Sequence, residues 1–284
     1  MITICKRNLK VFFRDKSSVF FSLLAVFIII GLYVLFLGDT ITSGMKDVPN
    51  ARFLMDSWIM AGLLAVTSIT TTMGAFGIMI EDKTRKIEKD FLTAPIKRSQ
   101  LVGGYILSSF VIGLIMTLIT FVLAEVYIVA YGGEILPIES IFKVLGLIVL
   151  SVLTGSSMVL FMVSFFKSQN AFATASTILG TLIGFLTGIY IPIGSLPEAV
   201  QYVIKVFPIS HAGALFRQIM MEVPMSTAFA NAPESVIANF KNTLGVTYKF
   251  GDYVACPTTS ILVLCATVVI FYCLAILNIS RKKR

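Results

Sequence analysis

Six stretches of this chain contain no charged residue: 17–38, 57–80, 99–124, 144–166, 170–193 and 253–280. Short segments dense in charge or in turn formers separate them, so polarity comes in blocks rather than with a short repeat. A bilayer core about 30 Å thick takes roughly 20 helical residues to cross, and every block meets that length. Helices satisfy their backbone polar groups internally, as lipid demands. A closed barrel would instead show segments of about ten residues with alternating polarity, and none occurs. The pattern predicts an all-α, polytopic membrane protein of six transmembrane helices, a single membrane domain over 1–284. The first block exceeds a signal-peptide core in length and no small-residue cleavage site follows it, so it reads as a retained helix.

The segments between blocks carry their own periodicity. In 1–16, Ile2, Cys5, Leu9, Phe12 and Phe13 fall on one helical face, with Lys6, Arg7, Lys10 and Arg14 largely on another. That spacing predicts an amphipathic helix lying in the membrane interface; a plain basic anchor is the simpler alternative. In 81–98 the charges alternate in sign, which excludes a polybasic tether. Ile87, Phe91 and Leu92 recur there at helical spacing beside Lys86, and Pro95 ends the short helix they predict. An apolar ridge at the membrane surface suits docking of a soluble partner; the alternative is a solvated connecting loop. Residues 194–252 divide in two. The first part, to Met221, is apolar but broken by Phe207-Pro208 and too short to span, which predicts one or two re-entrant or interfacial helices. The remainder is more polar and predicts a compact external cap.

Composition agrees and adds orientation. Only 13% of residues are charged and mean hydropathy is +0.91, against roughly 25% charged in a soluble domain. With the N-terminus inside, the segments 1–16, 81–98, 167–169 and 281–284 hold 16 of the 23 Lys and Arg residues and five acids. The positive-inside rule then places both termini in the cytoplasm. The net charge of +8 is therefore a topology signal and not a nucleic-acid footprint. Cys5, Cys256, Cys265 and Cys273 fall in different compartments, which gives neither a disulfide framework nor metal-ligand spacing.

Candidate chemistry is sparse. No phosphate loop, H-E-x-x-H or G-x-S-x-G motif is present, so the sequence offers no catalytic residue, no metal site and no cofactor site of its own. His211 is a lone histidine, read as a polar residue at the outer interface. Thr67, Ser68, Thr70, Thr71 and Thr72 in the second block either bond their own backbone or line a polar path. Ser176, Gly180, Gly184 and Gly188 in the fifth block form a small-residue stripe that lets another helix approach closely. Glu125, near the outer end of the third block, is the one candidate intramembrane charge; it either serves transport, reaches water, or pairs with Lys143. Secondary transporters place several ionisable groups near the midplane, and these blocks have almost none.

The order of features resembles a permease subunit of the type-2 ABC exporter family over essentially the whole chain. The residues that carry it are the basic N-terminal helix, Leu92-Thr-Ala-Pro-Ile-Lys-Arg98, Gly188-Ile-Tyr-Ile-Pro192, Leu196-Pro197, Phe207-Pro208 and Arg217. The family often has a glycine early in its cytoplasmic loop, where this chain has Arg85-Lys-Ile-Glu-Lys89. The resemblance implies a bacterial cytoplasmic-membrane protein that works with a separate cytoplasmic ABC ATPase, which holds ATP and Mg. That ATPase would dock on Lys86, Ile87, Phe91, Leu92 and Pro95 and on the N-terminal helix. A second permease chain, identical or not, would complete the complex within the membrane lipids. Thr67, Thr70 and Thr71 with Gly180, Gly184 and Gly188 would then flank the pathway, and 195–221 would help close the outer gate. So few helix charges suit an amphiphilic or hydrophobic cargo: a drug, an antimicrobial peptide or a lipid-like molecule. The alternatives are a secondary transporter or channel without an ATPase, and export of a polysaccharide.

Overall fold

The computed structural model describes residues 1–37, 44, 48–93 and 96–281. Helix α1 (Ile2–Arg14) meets α2 (Lys16–Leu32) at Asp15, whose carboxylate accepts from the Ser18 hydroxyl and from the Ser17 and Ser18 amides. These bonds, the Ser18 hydroxyl foremost, hold the Asp15 carboxyl below its ordinary range. The chain continues as a π-turn over Tyr33–Leu37. Next come α3 (Ala51–Thr84), α4 (Ile87–Thr93), α5 (Arg98–Ala130), α6 (Ile138–Val163) and α7 (Gln169–Leu186). Beyond α7 lie α8 (Glu198–Val206), α9 (Pro208–Met220), α10 (Glu222–Ala228) and α11 (Glu234–Thr243). A two-residue ribbon, β1 (Lys249–Phe250) against β2 (Tyr253–Val254), precedes the last helix α12 (Pro257–Arg281).

Among the described residues, α2 with its π-turn, α3, α5, α6 and α12 are long and apolar enough to cross a membrane, and the molecule is an all-α, polytopic membrane protein. The pair α8 and α9, bent by 87° at Phe207, makes a sixth only if counted as one span. Helix ends depart from the charge-free blocks for a common reason. Arg52 bonds Asp56 and Glu81 bonds Arg85 at i,i+4 spacing, so both ends of α3 carry charge without breaking the helix. Glu139 and Lys143 do the same in the first turns of α6. The fifth block, by contrast, is helical only over 18 residues, about 27 Å at 1.5 Å per residue. Gly188, at φ +67°, ends it, and Tyr190 folds back over Gly184.

Helix α3 is the centre of the bundle. Of its most apolar window 78% is buried, against 22% for α2 and for α12. It packs on α5, α6, α7 and α9. Close approach comes from small residues, as expected where lipid removes the hydrophobic drive for helix association. A methyl on Gly155 of α6 would stand 3.0 Å from the Ser68 carbonyl, and one on Gly113 of α5 would stand 2.7 Å from Thr72. Ser151 bonds Ser68 at 2.8 Å and Ser109 bonds the Thr72 carbonyl at 3.3 Å. Helix α12 is tied to α6 by Tyr272–Ser156 and Asn278–Ser164.

Helix α9 enters this bundle between α3, α6 and α12 at the end away from α4. It is buried almost all round, with Ile209, Ala212, Leu215 and Phe216 in contact with the core. Pro208 occupies its first turn, where a missing amide hydrogen costs nothing. The predicted break at Phe207-Pro208 is thus realised as two short helices.

Candidate functional site

At the α4 end, α1 lies across α5, where Gly104 leaves room for Ile4. The face of α1 packed on the bundle is Ile4, Cys5, Asn8 and Phe12, while Ile2 and Phe13 of the apolar face are left uncovered by the chain. This packing brings Arg7 to Asp82. The guanidinium grips the carboxylate with both terminal nitrogens, one of them at 2.9 Å, and Tyr105 donates to the same carboxylate at 2.7 Å. Asn8 bonds Ser108 at 3.1 Å. Asp82 is 3% exposed and Arg7 33%. The bonds to Asp82 raise the Arg7 guanidinium above its ordinary value, with burial opposing. Three elements, α1, α3 and α5, therefore meet at one ion pair. The charge alternation in 81–98 gave no hint that Asp82 was the buried member; its partner lies 75 residues away.

Helix α4 begins right after this junction. The Arg7 guanidinium stands over the Phe91 ring at 5.7 Å, so the half-buried Phe91 adjoins α1. Ile87 is half-buried, while Lys86 and Asp90 are exposed. Nothing is described for the Leu92 side chain, and Pro95 lies outside the described residues. An open groove of ≈ 780 Å³ runs along the basic face of α1, lined by Lys6, Arg7, Lys10 and Arg14. Of the predicted docking residues, Phe91 is thus placed beside the basic helix.

Lys86 itself sits at φ +62°, the left-handed region that favours glycine. It occupies this conformation in the segment where the type-2 resemblance leads one to expect a glycine. A side chain there costs roughly 1–2 kcal/mol, and glycine returns roughly half of that through its freer unfolded chain. Lys86→Gly should therefore leave stability equal or raise it by about 0.5 kcal/mol. Lys86→Val, branched at Cβ, should lower it by more than about 1 kcal/mol. Thermal unfolding of the three proteins in one lipid composition checks the order.

The pathway candidates separate into different roles. Thr67, Thr70 and Thr71 all donate to carbonyls three or four residues back in their own helix, and Thr67 and Thr71 are fully buried. They are packing residues in this state, as the commoner outcome for such hydroxyls has it. Gly180 faces open space, Gly184 lies under Tyr190, and Gly188 makes the turn that ends α7. The stripe is therefore not a single packing seam. Helix α7 rests chiefly on α3 and leaves Ile178, Leu182 and Phe185 exposed beside Gly180.

At the opposite end of α3, Arg52 bonds Asp56 and the Tyr127 hydroxyl at 3.1 Å, under the Tyr131 ring at 4.7 Å. Glu125 is near but separate. Its Oε2 accepts the Leu136 amide at 3.2 Å, while Oε1 is buried with no hydrogen-bond partner. Lys143 does not reach it, being paired to Glu139 at 2.7 Å. Glu125 faces a cavity of ≈ 10 Å³ shared with Ser57 and Met220, room for roughly one water and too small for any cargo.

His211 departs from its expected surface position. It is 3% exposed, bonds Ser260 of α12 at 3.0 Å and the Lys205 carbonyl at 2.9 Å, and so fastens α9 to its neighbours. Arg217, further along α9, is fully buried. Its guanidinium stacks on the Trp58 ring at 4.9 Å. Residues 244–246 form a strap over this stack. The Leu244 carbonyl accepts from the Trp58 indole at 2.8 Å, that of Gly245 from Arg217 at 3.5 Å, and that of Val246 from Gln218 at 2.7 Å.

Among the described residues no group of three or more His, Cys, Asp or Glu could hold a metal ion. Residues 49–277 match the model of a family described as ABC-2 family transporter protein. No curated protein matches the chain.

Proposed function

This chain belongs to the ABC-2 family of transporter proteins, and on that premise we propose that it is the permease subunit of an ATP-driven exporter in a bacterial cytoplasmic membrane. As an ABC permease it is a multi-pass membrane protein that works with an ABC ATPase. In this reading both termini are cytoplasmic, and ATP and Mg are held by the ATPase. The cargo is an amphiphilic or hydrophobic molecule such as a drug, an antimicrobial peptide or a lipid-like compound.

The observation that carries the reading is the shared surface of α1 and α4, where Phe91 lies under Arg7 beside a groove of Lys6, Lys10 and Arg14. An aromatic anchor rimmed by charge is what a docked soluble partner needs. Closure of the ATPase pair moves α4 and, through Arg7 and Asp82, draws α1, α3 and α5 with it. A second permease chain covers the bare face of α7, where Gly180 permits close approach and Ile178 and Phe185 supply apolar contact. The bent pair α8 and α9 closes the outer end.

The test is reconstitution in lipid vesicles, with the chain alone and then with the ATPase encoded beside it. No ATP turnover alone and membrane-dependent turnover with the partner is the expected result. A second reading, an ATPase-independent transporter or channel, draws on the unpartnered Glu125 oxygen. The same vesicles decide, because substrate flux without the ATPase belongs to that reading alone.

A further inference from the structure

We propose that Arg217 is the receptor for an anionic group of the transported molecule, an amphiphile bearing a carboxylate or a phosphate, at a site closed in this state by the 244–246 strap. Calling the ligand cargo rests on the export reading; the binding itself does not.

The argument begins with what surrounds the guanidinium. Arg217 is fully buried, and its Nε and Nη2 have no hydrogen-bond partner. Its one contact to an acceptor, the Gly245 carbonyl at 3.5 Å, is at the outer limit for a hydrogen bond. Among the described residues no carboxylate lies within ion-pair distance of it. Glu125, the candidate intramembrane carboxylate of the sequence, gives one oxygen to the Leu136 amide and opens into its own small cavity.

A structural arginine held by Trp58 and the long bond to the Gly245 carbonyl is the plainer alternative. Stacking on one ring, however, offsets only part of the cost of removing a cation from water. Buried charges in proteins are paired, and in membrane segments such residues mark substrate or ion paths. An arginine kept here with two of its three nitrogens unpartnered is a group whose partner arrives from outside the chain.

The walls say what kind of partner. Nη2 points to Gly62, where an added methyl would stand 3.0 Å away, and Ile189 closes the same corner. Trp58 covers the guanidinium face, and Ile193 crowds Gly245. One cationic fork in an otherwise apolar corner fits an anionic head attached to an apolar body. The strap is the cover: three successive carbonyls hold three side chains, and Gly245, at φ +67°, makes its turn. Lifting residues 244–246 uncovers Trp58 and Arg217 together.

Trp58 is the only tryptophan in the chain, so its emission reports this site without a label. The full chain in nanodiscs, without the ATPase, is titrated with decyl phosphate, decanoate, decyltrimethylammonium and inorganic phosphate. Saturable change with the two anionic amphiphiles, and at least tenfold weaker response to the cation, is expected. Inorganic phosphate should bind at least tenfold more weakly than decyl phosphate. Arg217→Gln should abolish the anion response, and Arg217→Lys should retain it with reduced affinity; the wild-type comparison stands even if a variant fails to fold. Equal responses to anionic and cationic amphiphiles would mean partition alone and would overturn the proposal, as would inorganic phosphate binding as tightly as decyl phosphate. Loss of this binding with ATPase coupling intact removes the anion site and leaves the exporter; the reverse result removes the exporter and leaves the site.

Discussion

Arg7→Ala should destabilise the protein by about 3 kcal/mol, and Asp82→Ala by about half as much. The inequality follows from burial. Removing Arg7 strands a carboxylate that is 3% exposed and keeps only the Tyr105 hydroxyl. Removing Asp82 frees an arginine that is already 33% exposed and whose long stem lets its head reach water. Breaking a buried pair from one side costs roughly 3–5 kcal/mol, and the exposure of Arg7 trims both figures. The double variant should cost less than the sum of the two, because each single change leaves the other group stranded. Chemical denaturation of the four proteins in one detergent gives the cycle. Equal losses, or strict additivity, would mean that the pair is an ordinary surface contact.

The functional counterpart is Phe91→Glu. If the ring is the central anchor of the ATPase contact, its loss removes about 2–4 kcal/mol of binding, or on the order of 30- to 1,000-fold in affinity. The new carboxylate lies under Arg7, which offers it a partner, so the chain should still fold and insert. Phe91→Tyr, which keeps the ring, should bind within about threefold of the original, a difference below 1 kcal/mol. Affinity for the purified ATPase, measured with the permease in nanodiscs, distinguishes them. Unchanged binding of Phe91→Glu would move the docking surface off α4 and onto α1 alone.

These three residues also mark the boundary of what the sequence reveals. Phe91 is legible because its neighbours repeat at helical spacing between charges. Arg7 and Asp82 are not, since each looks like one more solvated charge and only the crossing of α1 over α5 brings them together. Membrane helices announce themselves through missing charge, but their ends do not. Arg52, Asp56, Glu81 and Arg85 pair along α3 and extend it beyond the charge-free block. The fifth block misled in the other direction: its apolar residues continue to Ile193, yet a left-handed Gly188 stops the helix seven residues earlier, at Leu186. Arg217 appeared in the sequence only as the last member of a family pattern. Its isolation depends on where α9 inserts, and no local spacing encodes that.

The length of α3 gives the two ends a common fate. Thirty-four residues make a rod of about 51 Å, well beyond the roughly 40–45 Å of a bilayer with its headgroups. Asp82 rides near one tip and Trp58 about 36 Å away towards the other. A rigid rod gripped at its middle by α5 and α6 is a lever. A tilt of about 5° would swing each tip by roughly 2 Å and Trp58, about 14 Å from the middle, by roughly 1.2 Å, enough to stretch its bond to the 244–246 strap past hydrogen-bond range. Force applied at the ion pair would then reach the arginine as displacement, with no chain of charges between them.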